Sequence, residues 1–80
     1  MPYPPVDPDF DNLRHSLSRL RADRRLTYDA LAEQTGVTRR TLISIETGRS
    51  QGSLDSWFRI AQALDIELGE LLRPLYGRTH

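Results

Sequence analysis

A single glycine, Gly36, separates two short apolar-patterned segments, and each segment opens on a threonine. This punctuation constrains the fold more than any other feature of the chain. Thr27 can cap a helix from Tyr28 to about Gln34, because its hydroxyl accepts a free N–H of the first turn. Gly36 follows where a left-handed residue ends a helix at least cost. Thr38 can cap a further helix, which Gly48 closes. Leu26 with Leu31, and Val37 with Leu42, have the spacing of hydrophobic staples. Two helices joined by about three or four residues have the form of a helix-turn-helix unit.

The rest of the chain follows the same grammar. Asp7-Pro8 reads as a helix start, with Phe10, Leu13, Leu17 and Leu20 on one face and an end near Arg24. His15 falls on the opposite, solvated face. Ser53 can cap a fourth helix, in which Leu54, Trp57, Ile60, Ala61 and Leu64 share a face and Asp65 marks the end. A short fifth helix is predicted from about Leu68 to Arg73, stopped by Pro74. No segment sustains strand alternation, so the expected class is all-α, a compact five-helix domain. Residues 1–6 read as a flexible proline-rich tail, 7–73 as the domain and 74–80 as a C-terminal tail.

A chain of 80 residues is one small domain, which buries only about 60% of its unfolded surface. There is no Cys, and His15 and His80 lie far apart in sequence, so a structural metal is not expected. Stability must come from packing. No apolar run is long enough to span a membrane, and "MPYPPVDPDF" lacks the regions of a signal peptide, so a cytoplasmic protein is expected. A glycine-rich phosphate loop, a histidine–carboxylate cluster and a nucleophile set are all lacking, which argues against an enzyme and a cofactor.

The formal net charge is zero, yet its distribution is uneven. Residues 13–50 carry eight Arg against four acids, whereas residues 1–12 carry three Asp and no base. All eleven bases are Arg, which suits phosphate and guanine recognition or reflects codon bias. Projected at roughly 100° per residue, the third helix turns Leu42 and Ile45 inward. Arg39, Arg40, Ile43, Ser44 and Thr47 face outward. Two arginines at a helix N-terminal end oppose the macrodipole, and an anionic partner would remove that penalty. This is also the end of a recognition helix that reaches base edges, where Arg can grip guanine and Ile can meet a thymine methyl. The alternative for the pair is a solvated helix start.

The stretch "LTYDALAEQTGVTRRTLISIETGRSQGSLDSWFRIAQALDIELGELL" resembles the Cro- and lambda-repressor-like helix-turn-helix family, also called the XRE family. The resemblance runs from about Leu13 to Leu72. It rests on Leu26-Thr27, Leu31-Ala32, Gly36-Val37-Thr38, Ile45-Glu46 with Gly48, Ser53-Leu54 and Ala61 through Leu64. It implies sequence-specific binding of double-stranded DNA and transcriptional regulation, usually by a homodimer on a palindromic operator. The recognition helix would be residues 38–47. The resemblance implies that Arg39, Arg40 and Ser44 face bases. It implies phosphate contacts for Thr27, Tyr28, Arg49 and Ser50, and a structural bridge between Arg21 and Glu46.

Several positions depart from the family pattern. Tyr28 stands where Gln is frequent; its hydroxyl can reach a phosphate, or its ring can cover the core edge. Gly52 replaces a frequent Pro and suggests a looser loop. Glu67 replaces a better N-cap, and Ile43 occupies a usually polar position. Phe58, which flanks the core stripe of the fourth helix, and Leu72, Leu75 and Tyr76 can form a two-fold patch or close the core. A protein-interaction module, such as an antitoxin or an adaptor, is the competing function.

Overall fold

Four polar side chains start the first four helices. The Asp9 carboxylate and the hydroxyls of Thr27, Thr38 and Ser53 each accept a backbone N–H three residues on. The computed structural model describes residues 7–77. The tail expected at residues 1–6, and residues 78–80, lie outside this range. The helices are α1 (Phe10–Asp23), α2 (Tyr28–Thr35), α3 (Arg39–Glu46), α4 (Leu54–Leu64) and α5 (Leu68–Leu72). A 3-10 helix, Arg73–Tyr76, follows directly. The fold is the expected all-α arrangement.

Two ends differ from expectation. The cap of α1 is Asp9 rather than Asp7, and Pro8 precedes the cap instead of opening the helix. The choice is tertiary, because the Asp9 N–H donates to the Leu75 carbonyl at 2.8 Å. Pro74 ends the α-helical ladder, but the chain does not turn away there. It tightens into the 3-10 helix, which lies against α1, and Asn12 Nδ2 donates to the Pro74 carbonyl at 2.9 Å. Sequence periodicity carries no information about such a contact between chain ends.

The core takes Leu13 and Leu17 from α1, Leu31 from α2, and Leu42 and Ile45 from α3. Trp57, Ile60, Ala61 and Leu64 from α4, Leu71 from α5 and Val37 between α2 and α3 complete it. Burying a Leu or Ile side chain fully contributes about 1.5–3 kcal/mol relative to exposure. Seven such side chains are almost fully enclosed, which is what a domain without cross-links requires. Leu72 and Leu75 are half-buried and packed on this cluster, whereas Leu54, Phe58 and Tyr76 are exposed.

The loop between α3 and α4 is not loose. Trp57 Nε1 donates to the Gln51 carbonyl at 2.8 Å, and the Gly52 N–H donates to Ser50 Oγ at 3.0 Å. Gly52 sits at φ +81°, which proline cannot adopt. A Cβ there would lie 2.8 Å from Trp57 Nε1 and 2.9 Å from Ile45 Cδ1. Glycine is therefore the residue that lets this backbone press onto the core. Gly52→Ala is expected to lower stability by about 2–3 kcal/mol, from the strained φ and the overpacking together. Urea unfolding checks this, and an unchanged midpoint would mean that the loop can move aside.

Candidate nucleic-acid interface

The turn between α2 and α3 is built by three residues. Gly36 takes φ +77° and its N–H donates to the Ala32 carbonyl at 2.9 Å. Thr35 is buried; its hydroxyl donates to the Leu31 carbonyl at 2.8 Å and accepts from the Val37 N–H at 3.0 Å. Thr38 then caps α3 through the Thr41 N–H. The angle between the two helices is thus held by backbone hydrogen bonds and by one buried threonine that pattern reading passed over.

α3 divides as its periodicity requires. Leu42, Ile45 and Glu46 are buried. Arg39, Arg40, Ile43, Ser44 and Thr47 line one open hollow together with Arg49 from the following loop. Every residue expected to read bases therefore lies around a single concavity, with three guanidinium groups at its edge. Ile43 is half-buried rather than exposed, so part of its side chain already rests on the protein. The Thr47 hydroxyl donates to the Ile43 carbonyl at 2.8 Å. Arg49 and Ser50 are exposed, and their N–H groups both donate to the Ser44 carbonyl, at 2.9 and 3.1 Å, which fixes the loop to the end of α3. Thr27 Oγ1 accepts from the Ala30 N–H at 3.0 Å and leaves the first N–H groups of α2 at the surface.

A buried ionic cluster orients α3. Arg21 meets both carboxylate oxygens of Glu46 with one edge of its guanidinium, Nε to Oε2 at 2.8 Å and Nη2 to Oε1 at 3.1 Å. The Glu46 side chain is 3% exposed and that of Arg21 20%, so the pair lies largely out of water. Ser18 donates to Glu46 Oε1 at 2.8 Å, a contact that the sequence did not announce. Arg21 Nη1 also donates to the Leu26 carbonyl at 3.0 Å. The hydrogen bond to Glu46 raises the Arg21 pKa further, so this cation stays charged.

Tyr28 takes one of its two expected places, with the ring packed against the edge of the core. Its hydroxyl donates to Glu46 Oε1 at 3.0 Å, and its ring lies 4.1 Å from the Arg21 guanidinium carbon. With this rotamer the hydroxyl serves the buried cluster instead of reaching out to a phosphate.

No metal site accompanies these groups: among the described residues, no cluster of His, Asp or Glu could hold an ion. Among the described residues, no helix is long and apolar enough to cross a membrane.

A short turn between two helices, with the second presenting arginines outward, defines a DNA-binding helix-turn-helix protein. The comparisons agree. A helix-turn-helix family model matches residues 17–71. An uncharacterised HTH-type transcriptional regulator of Methanothermobacter thermautotrophicus is 44% identical over 55 residues, covering 69% of this chain and 80% of the relative. One from Methanocaldococcus jannaschii is 34% identical over 59 residues, covering 74% and 89%. The crystal structure of the restriction-modification controller protein C.AhdI from Aeromonas hydrophila superposes with a TM-score of 0.74 at 33% identity, covering 79% of this chain and 96% of that one. The clp gene regulator ClgR from C. glutamicum gives 0.73 at 28% identity, covering 89% and 94%. The chain belongs to the XRE-type helix-turn-helix family of DNA-binding transcriptional regulators.

Two outcomes test the cluster. Glu46→Ala leaves Arg21 partly buried without its partner, and the expected loss of stability is about 3–5 kcal/mol. A melting temperature equal to that of the wild type would refute the lock. Burial first, then the hydrogen bond to Glu46 and its charge, raise the pKa of Tyr28 above its ordinary value of 10.0. The folded state then holds the phenolic proton more tightly than the unfolded chain. This contribution is complete below the unfolded value and is lost as the pH rises through the folded one. Thermal unfolding should therefore show an alkaline loss of stability, beginning near pH 10, that is smaller in Tyr28→Phe. Identical alkaline profiles would contradict this placement of the hydroxyl.

Proposed function

We propose that α3 lies in the DNA major groove and reads base edges through Arg39, Arg40, Ile43 and Ser44. The observation that carries this reading is the hollow these residues share with Arg49. Arg40 projects from the first turn of α3 and its side chain makes no ion pair or hydrogen bond among the described residues, so it reads a base, with guanine as the fitting partner. Arg49 and Ser50, in the loop beyond α3, hold phosphate, as do Thr27 and the N–H groups at the start of α2. Tyr28 supports this edge from behind rather than by its hydroxyl.

The protein acts as a homodimer on a palindromic operator in this reading. Tyr76 is exposed beside half-buried Leu72 and Leu75, and this end of the molecule offers an apolar hollow with Pro8 and Gly69. The action is binding without catalysis, in keeping with the transcriptional regulators to which the chain is related. Such a regulator works where the DNA is, the cytoplasm in a cell without a nucleus.

Paired arginine substitutions test the interface. Arg40→Ala is expected to weaken the best operator by about 1–3 kcal/mol and relax preference at one base pair per half-site. Arg49→Ala is expected to weaken all sequences alike and reduce the salt slope by about one per contact. Sites selected from random duplex DNA, titrated at several salt concentrations, separate the two. Equal losses with unchanged base preference would remove Arg40 from base reading. Footprints of the same sites give half-site centres about 34 Å apart for a dimer.

A further inference from the structure

The two arginines that open α3 are held differently. Arg39 Nε lies 3.2 Å from Asp29 Oδ1, on the first turn of α2. The Arg39 guanidinium carbon is also 6.0 Å from the centre of the Tyr28 ring. Tyr28 is itself fixed by Glu46 and Arg21. Arg39 is thus braced by two consecutive residues of α2, one of them continuous with the buried cluster. The side chain of Arg40, next along the chain, makes no ion pair or hydrogen bond among the described residues.

Stability does not account for the Asp29–Arg39 pair. Its side chains are 83% and 59% exposed, and pairs this open to water contribute little to folding. Asp29 does suit the start of α2, where the helix dipole favours an acid. That explains an acid there but not its placement against Arg39. A carboxylate at this edge also repels phosphate, two residues from Thr27. It therefore opposes non-specific binding, which rests on phosphate contacts. We infer that Asp29 is a positioning residue that sets base specificity through Arg39.

The chemistry is as follows. An unrestrained arginine grips phosphate as readily as guanine, since both accept two parallel N–H bonds. The Asp29 carboxylate meets Arg39 at Nε, so the ion pair does not occupy the terminal nitrogens Nη1 and Nη2, which remain available as a fork. The carboxylate biases the side chain toward α2 and makes an approaching phosphate unfavourable. A neutral base edge suffers far less from the same charge. Asp29 thus trades affinity for discrimination. This inference rests on α3 as the base-reading helix.

The test uses the duplex operator selected above, its single-base variants and a scrambled duplex. Anisotropy titrations compare the wild type with Asp29→Asn, Asp29→Glu, Arg39→Ala and the Asp29→Asn/Arg39→Ala double variant. Asp29→Asn is expected to reduce discrimination at one base pair per half-site by roughly fivefold. It should bind the scrambled duplex at least as tightly as the wild type. Arg39→Ala should lose discrimination at the same base pair, and the double variant should lose no more than Arg39→Ala alone. Asp29→Glu, which keeps the charge, should recover part of the loss. If Asp29→Asn shifts all duplexes equally, or if the two losses add, the inference is overturned and the reading of α3 stands. If the wild type binds no duplex, both fall.

Discussion

The orientation of α3 depends on one buried carboxylate. Glu46 is the last residue of that helix, and its side chain accepts from Arg21 and Ser18 of α1 and from Tyr28 of α2. Its backbone carbonyl accepts from Arg14 Nη1 at 3.2 Å, so both ends of the residue are tied to the scaffold. Apolar packing brings helices together but is non-directional. Hydrogen bonds from three side chains on two other helices fix the direction. Burying such a charge is tolerable only because every approach to it carries a donor. The core could keep α3 attached without this cluster, but could not alone set the angle at which its arginines face outward.

Most of the fold was legible because local chemistry and global packing agree. Thr27, Thr38 and Ser53 cap the helices they were expected to cap, and Gly36 ends α2 in the left-handed conformation. Asp65 ends α4 with φ +56°, a conformation that Asp tolerates better than most residues. What escaped is decided by partners distant in sequence. Asp9 displaced Asp7 as the cap because the chain end, Leu75, lies over it. Gly52 gave the impression of a loose loop, since a glycine looks the same whether its backbone is free or pressed against Trp57 and Ile45.

The outward set on α3 was legible from helical periodicity. The bracing behind it was not. Tyr28 offered a hydroxyl and a ring, and only the position of Glu46, 18 residues on, decides which way it turns. Thr35 is buried and Ser18 partly buried, small polar residues on helices whose enclosure the sequence gives no reason to expect. Asp29 carries no sequence signal that would place it beside Arg39, ten residues on.

The zero net charge of the chain and its basic interface are compatible for a physical reason. Exposed charges further apart than about 8–10 Å are largely screened at physiological salt, so the local arrangement outweighs the total. Arg39, Arg40 and Arg49 gather around one hollow, while Asp11, Asp55 and Glu70 pair with arginines of their own helices or of the adjoining turn. The first turn of α3 contains no acid, so its two arginines oppose the helix dipole. Asp29 from α2 compensates Arg39. Nothing in the described chain compensates Arg40. The positive charge over the first turn of α3 is therefore partly offset at Arg39 and left open at Arg40, so its pull on an anion is strongest there.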